Sequence, residues 1–291
     1  MTAVQEERSV NIEKIMVVGA GTMGSGIAQT AAACGCTVVL VDIDQQRAIA
    51  AVELIRKRLE RRVAAGKIAM EEKDLLLARI TTTSSLEDCG TVELVIEAAS
   101  EQETVKQAIF RQLDALAPAA TIFASNTSAI SITRLAAVTA RPERFIGMHF
   151  MNPAHVMELV ELIPGLRTAP EVVATIRALA ERMGKKPVIV ADAPGFVANR
   201  LLMPAINEAI QTLQEGIASR DDIDLVMKLG AGQPMGPLEL ADFIGLDVCL
   251  EILETLYREL GEKFRPCPLL RKMVEGGKLG RKNGEGFYDY R

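Results

Sequence analysis

The stretch VVGAGTMGSGIAQ at 17–29 constrains this chain more than any other, because it sets Gly19, Gly21 and Gly24 in a GxGxxG pattern between an apolar β-branched run and a helical one. In that context Gly19 permits a tight strand-to-helix turn, Gly21 lets backbone approach a pyrophosphate, and Gly24 lets helix and sheet pack closely. Thr22 and Met23 lie inside the same turn, where the helix N-terminus favours phosphate. A lone GxGxxG is weak, but here Asp42 ends the next β-branched run, 18 residues after Gly24. An acid at that place accepts hydrogen bonds from ribose hydroxyls. It also repels a 2′-phosphate, and the surrounding VDID offers no arginine to receive one, so the pattern predicts NAD rather than NADP.

From Lys14 to about Val190, short apolar runs alternate with helical stretches: 14–19, 37–42, 92–98, 121–126, 144–150, 157–163 and 187–192. Continuous apolar strands separated by helices predict a mostly parallel, doubly wound sheet covered on both faces. In 47–63, Ala48, Val52, Ile55, Leu59 and Val63 recur at steps of three or four, one face of a helix. After Asp192 the strand signal stops. A helix is predicted from Pro194 with a kink at Pro204 and an end at Gly216, then a short one capped by Ser219 and Asp222, then one from Pro237 through to Gly261. The expected organisation is a Rossmann-type α/β domain over 1–191 and an all-α domain over 192–291. A length of 291 residues suits two cores better than one.

Hydrophobic residues make up 49% and charged residues 24% of the chain, which is ordinary globular composition. A net charge of -5 implies no global attraction to nucleic acid or to a membrane surface. No apolar run reaches the roughly 20 residues of a spanning helix, and the opening MTAVQEERSVNIEK lacks the apolar stretch of a secretory signal, so a cytoplasmic protein is expected. The five cysteines, of which only Cys34 and Cys36 are close, lack ligand-like spacing and read as reduced structural thiols with no metal site.

The chain has two histidines, so an imidazole acid/base must be His149 or His155. His149 falls at the end of a predicted strand, on the carboxyl edge where doubly wound folds bind ligands, whereas His155 reads as a loop residue. Glu161, in the following apolar strand, is placed to orient an imidazole and stabilise its protonated form. A third signal is the basic stripe of Arg56, Lys57, Arg58, Arg61, Arg62 and Lys67. It fits a solvated helix face paired with Glu53 and Glu60, and equally a clamp for phosphates.

Seven separated motifs, GAGTMGSGIAQ, VIEAASE, SNTSAIS, GMHFMNP, DAPGFVANR, PMGPLELADFIGLD and GRKNGEGFYDY, carry a resemblance. From about Glu13 to its last residues the chain resembles the monofunctional 3-hydroxyacyl-CoA dehydrogenases, nearest the bacterial 3-hydroxybutyryl-CoA group. That resemblance implies a hydride transfer between NAD(H) and a (3S)-3-hydroxyacyl-CoA/3-oxoacyl-CoA pair, with His149 as catalytic base and Glu161 as its partner. It implies that Ser128 bonds the substrate's 3-oxygen and that Asn199 holds the reacting end of the thioester. Asn126 and Asn152 would help fix the cofactor end of the site, and Glu97, Glu101 and Lys106 fall in the stretch lying along the cofactor. Coenzyme-A contacts would come from the basic stripe, with Arg58 and Lys67 the candidates. Apart from the resemblance, the apolar helices of the C-terminal domain suggest a homodimer.

Two other readings remain: a β-hydroxyacid dehydrogenase using a lysine as its acid/base, against which the spacing from HFMNP to Glu161 argues, and a non-catalytic NAD-binding relative.

Overall fold

The computed structural model describes residues 12–291, so the reading of the first residues, MTAVQEERSVN, as free of a targeting signal lies outside them. The chain divides into two units, the first ending at Asp192 and the second running from Ala193 to Arg291.

In the first unit β1 (Lys14–Val18) leads through the glycine turn into α1 (Thr22–Ala33), followed by β2 (Thr37–Val41), α2 (Gln45–Ala64), α3 (Met70–Ala78) and β3 (Ile80–Thr83). Then come β4 (Leu94–Glu97), α4 (Glu103–Leu116), β5 (Ile122–Ser125), α5 (Ile132–Ala136), β6 (Phe145–Phe150), β7 (Leu159–Pro164), α6 (Pro170–Arg182) and β8 (Lys186–Ile189). The eight strands form one sheet in the order β3-β2-β1-β4-β5-β6-β7-β8. All neighbouring pairs are parallel except β6 with β7. This is the mostly parallel α/β sheet that the alternating pattern predicts, with one strand more than the apolar runs number.

The added strand is β3, and its sequence ITTT explains why it escapes notice: a single isoleucine precedes three threonines at an edge of the sheet. Period-2 and apolar-run signals both fail on such a segment, and register with Val38 to Val41 forms it. Both faces of the sheet are covered, as parallel sheets require. On one face Ile15, Val17, Val38 and Leu40 pack with Ile27 of α1, Ile55 and Leu59 of α2 and Ile176 of α6. The rings of Phe110, Phe123 and Phe145 form a second cluster, Phe110 and Phe145 meeting edge-on with centroids 4.5 Å apart.

The second unit is helical: α7 (Ala198–Gln214), α8 (Arg220–Gly230), α9 (Pro237–Ile244), α10 (Leu246–Leu260) and α11 (Pro268–Glu275). Its core includes Ile206, Ile210, Leu238, Leu253 and Leu256. Helix α7 begins at Ala198 rather than at Pro194, because Gly195 (φ 71) and Phe196 (φ 48) are in the left-handed region, which an α-helix cannot use. Ser219 caps α8 as expected, accepting from the Asp222 amide. The predicted single helix from Pro237 to Gly261 is instead two, broken at Gly245 with φ 105. The buried Asp224 carboxylate accepts from Leu238 and Glu239 at the start of α9, and the buried Asp242 carboxylate accepts from Phe287 and Tyr288, tying down the C-terminal FYDY segment.

Candidate active site

Parallel pairing of β1, β4, β5 and β6 brings their carboxyl ends to one edge of the sheet. The connections leaving that edge hold the glycine turn, Asp42, the segment after Glu97, and the turn 126–128. His149 lies at the same edge, two residues past Gly147, which pairs with Ser125. The site is therefore a consequence of strand order, which follows from where the chain buries its apolar runs.

A cleft of about 950 Å3 opens there, lined among others by Gly19, Gly21, Thr22, Met23, Asp42, Arg47, Ser85, Ala99 and Ile109. The glycines explain its shape. A Cβ on Gly19 would stand 2.6 Å from the Ala98 carbonyl oxygen, and one on Gly24 would stand 1.7 Å from that of Gly19. Neither position admits a side chain. At Gly21 a Cβ would meet nothing of the protein within 4 Å, so its absence leaves open space in the cleft for a ligand. Gly21 is also the N-cap of α1, and it has no side chain to cap the helix's first amides. A bare helix N-terminus suits a pyrophosphate.

Asp42 is 7% exposed; one carboxylate oxygen accepts from the Ala20 amide at 2.9 Å, and the other from Asp44 at 3.2 Å. Arg47, in the first turn of α2, comes within 3.9 Å of it and also lines the cleft. This arginine lies outside the VDID segment that the sequence pattern marks; its position in the first turn of the following helix is the signal that points to it. These groups fit a dinucleotide: a glycine cradle for phosphates and a fixed carboxylate for ribose hydroxyls.

Glu97 and Lys106, expected along the cofactor, are enclosed instead, at 0% and 1% exposure, and absent from the cleft's lining. The Lys106 Nζ donates to Glu97 at 2.7 Å, and Ser125 Oγ and the Ala99 amide donate to the same carboxylate at 2.6 and 2.7 Å. Burial pushes the Glu97 carboxyl above its ordinary range, with Lys106 and the hydrogen bonds opposing it. Lys106 also reaches Glu101 at 3.3 Å. Glu101 in turn accepts from the Ser128 amide at 2.6 Å and from the Thr127 hydroxyl. The buried pair thus acts as a brace for the turn carrying Ser128. Asn126 is buried, and its side-chain oxygen accepts from the Phe150 amide at 2.9 Å, fastening β5 to β6 next to His149. Asn152 is exposed in the loop after β6.

His149 and Glu161 face each other across the antiparallel β6–β7 pair, with Nδ1 and the carboxylate 2.8 Å apart. Both are buried, at 5% and 2% exposure. A carboxylate only accepts, so a neutral imidazole here holds its proton on Nδ1 and keeps Nε2 as the basic nitrogen. Such a pair takes up and releases a proton at Nε2 while the carboxylate stabilises the imidazolium. The loop joining the two strands is held by Lys185, 8% exposed, whose Nζ donates to the carbonyls of Ala154 and Met157 at 2.6 and 2.8 Å. No sequence pattern marks this lysine.

The basic stripe divides. Arg56 pairs with Glu53 at 3.1 Å on the exposed face, whereas Arg58 is half-buried and its guanidinium donates to Ser25 of α1 at 3.5 Å. Burial, then the charges of Arg58, Lys185 and Arg62, hold the His155 imidazole below its ordinary range. These bases therefore share one flank of the first unit. Lys67 is exposed just beyond α2. Asn199 belongs to the second unit, buried in the first turn of α7.

Residues 14–193 match the family described as 3-hydroxyacyl-CoA dehydrogenase, NAD binding domain, and residues 195–290 match its C-terminal domain. The chain is 53% identical over 282 residues to a probable 3-hydroxybutyryl-CoA dehydrogenase of Bacillus subtilis (strain 168), covering 97% of this chain and 98% of that protein. It is 42% identical over 299 residues to the mitochondrial hydroxyacyl-coenzyme A dehydrogenase of Homo sapiens, covering 100% and 95%. Among solved structures, the (S)-3-hydroxybutyryl-CoA dehydrogenase of Ralstonia eutropha superposes with a TM-score of 0.92 at 48% identity, over 97% of this chain and 100% of that one.

Proposed function

The chain belongs to the 3-hydroxyacyl-CoA dehydrogenase family, and from that premise we propose that it interconverts (3S)-3-hydroxybutyryl-CoA and acetoacetyl-CoA with NAD(H). The observation that carries the mechanism is the buried His149–Glu161 pair at the carboxyl edge of the sheet that also forms the dinucleotide cleft. NAD, when bound, supplies the hydride acceptor for C3 of the substrate. In oxidation Nε2 of His149 takes the proton of the 3-hydroxyl, and Glu161 stabilises the positive charge that develops on the ring. In reduction the imidazolium returns that proton. Ser128, held through its backbone by Glu101, is the proposed partner of the 3-oxygen, and Asn199 is the helical unit's proposed substrate residue. A lysine-based acid/base is not favoured: Lys106 and Lys185 are buried and engaged with Glu97 and with main-chain carbonyls.

In this reading the unit up to Asp192 binds NAD, with Gly19, Gly21, Thr22, Met23 and Asp42 as contacts, and the helical remainder serves substrate and dimer formation. Leu201, Leu225, Val226 and Leu229, exposed by 51 to 79%, supply an apolar face for a second copy, which sedimentation of the purified chain tests. No helix among the described residues is long and apolar enough to cross a membrane, and the proposed compartment is the cytoplasm.

The test of the activity is kcat/KM for NADH-dependent reduction across 3-oxoacyl-CoA thioesters of increasing length. The expected result is a maximum at acetoacetyl-CoA. A maximum at longer chains would move the substrate assignment, and no NADH oxidation with any of them would favour the non-catalytic relative.

A further inference from the structure

Where α1 meets β2 the chain reads Cys34–Gly35–Cys36, and the fold turns this short spacing into a thiol pair with a cation beside it. Cys34 is the C-cap of α1 and partly exposed; Cys36 is buried at the head of β2. Gly35 has φ 98, a left-handed turn residue that folds the two side chains together, and their Sγ atoms lie 3.7 Å apart. A Cβ at Gly35 would meet nothing within 4 Å, so the turn borders open space. Arg182, at the end of α6 and 146 residues away in sequence, donates to Cys36 Sγ at 2.9 Å and also to the Ile12 carbonyl. The thiols of Cys89, Cys249 and Cys267 are all buried.

We propose that Cys34 and Cys36 form a thiol modification site that a hydroperoxide oxidises to a disulfide within the turn, and that a dithiol restores. In the first step the Cys34 thiolate attacks one oxygen of the hydroperoxide. The S–O bond forms, the O–O bond breaks, and the other oxygen leaves as an alcohol, or as water from hydrogen peroxide, after taking a proton. In the second step Cys36 Sγ attacks Cys34 Sγ, the S–O bond breaks, and the hydroxyl leaves with the Cys36 proton as water. Two thiols lose two electrons and two protons, and the peroxide accepts both. The Sγ atoms must close from 3.7 Å to about 2 Å.

Exposure assigns the roles: Cys34 is the partly exposed thiol that a hydroperoxide reaches, and Cys36 is the buried one behind it. The Cys36 thiol hydrogen-bonded to Cys34, with Arg182 behind it, outweighs burial and lowers the Cys34 thiol to about 6, while the same contact and burial push Cys36 up. A thiolate at neutral pH is the attacking group, and a protonated neighbour is the resolving one. Among the described residues Arg182 of α6 is the charged group on the pair, and the guanidinium of Arg79 donates to the Ala32 carbonyl in the same helical turn.

The test is peptide mapping of the full chain after brief treatment with hydrogen peroxide at pH 7. The expected result is loss of two hydrogens from the peptide holding both residues, reversed by dithiothreitol, while Cys89, Cys249 and Cys267 are still alkylated after unfolding. In Cys36→Ala the same treatment should leave a sulfenic acid on Cys34 that dimedone captures. Cys34→Ser, at the more exposed position, should lose the mass change altogether. Alkylation of Cys34 by iodoacetamide should be half-maximal near pH 6 in the parent and at higher pH in Arg182→Gln. Free, alkylatable Cys34 after peroxide, sulfinic acid on Cys34 with Cys36 still a thiol, or disulfides joining two chains would each overturn the proposal.

Discussion

At the scale of single residues, the proposed function makes Asp42 the group that selects the dinucleotide. Its buried carboxylate is fixed by the Ala20 and Asp44 amides, so it cannot swing away from a 2′-phosphate. NADH should therefore be used far better than NADPH. Arg47, 3.9 Å away, changes the expected variant: Asp42→Ala alone should leave an arginine beside the phosphate. The ratio of kcat/KM for NADPH to that for NADH should rise about tenfold or more, about 1.4 kcal/mol. An unchanged ratio would remove Asp42 from cofactor selection. His155 makes a pH prediction. Its native pKa is lowered by burial and by three cations, so below about 6.5 the unfolded chain binds a proton that the native chain resists. The stability tied to His155 is thus present above about pH 6.5 and lost as pH falls through it. Urea midpoints from pH 5.5 to 7.5 should fall less steeply on the acid side in His155→Gln than in the parent; a slope equal to the parent's would refute the assignment.

At the scale of elements, the glycine turn separates folding from binding. A Cβ at Gly24 collides with the Gly19 carbonyl, so Gly24→Ala should lower the thermal midpoint as well as NADH affinity. Gly21→Ala meets no protein atom within 4 Å. It should keep the parent's midpoint within a few degrees yet weaken NADH by about tenfold or more, read by fluorescence titration. Equal effects of both variants would mean that Gly21 serves the fold and not the ligand. The elements also show what sequence can reveal. The strands that lead to Asp42 and carry His149 were legible because parallel strands buried on both faces are continuous apolar runs. β3 was not, because its threonines are paired by register rather than chosen by burial. The break at Gly245 was hidden in an unbroken amphipathic pattern, since a glycine in a helical stretch is read as tolerated until its φ is known. Likewise Glu97 and Lys106 could be placed near the site by motif, but only packing shows that they brace the Ser128 turn from behind. The spacing of Cys34 and Cys36 is plain in the sequence, but the contact of Arg182 with Cys36 is one across the chain that no local pattern encodes.

At the scale of the whole molecule, a chain of net charge -5 that takes a polyanionic thioester works against its own field, so local bases must compensate. Arg56 is paired with Glu53, whereas Arg58 and Arg62 lie close enough to His155 to act on its charge, so that flank, with Lys67 near it in the chain, is the proposed phosphate contact. Replacing Arg58, Arg62 and Lys67 by Gln together should raise KM for acetoacetyl-CoA about threefold to a hundredfold, from about 0.2–1 kcal/mol per exposed contact. It should leave KM for acetoacetyl-N-acetylcysteamine, which lacks the phosphates, unchanged. If both rise equally, the stripe is a structural face. The account as a whole rests on one acid/base at the edge of the dinucleotide cleft, and His149→Gln tests it most directly. With NADH and acetoacetyl-CoA, the variant should lose about 100-fold or more in kcat, the scale of general acid–base catalysis, while binding NADH as the parent does. Turnover within a few-fold of the parent, at unchanged NADH affinity, would contradict it.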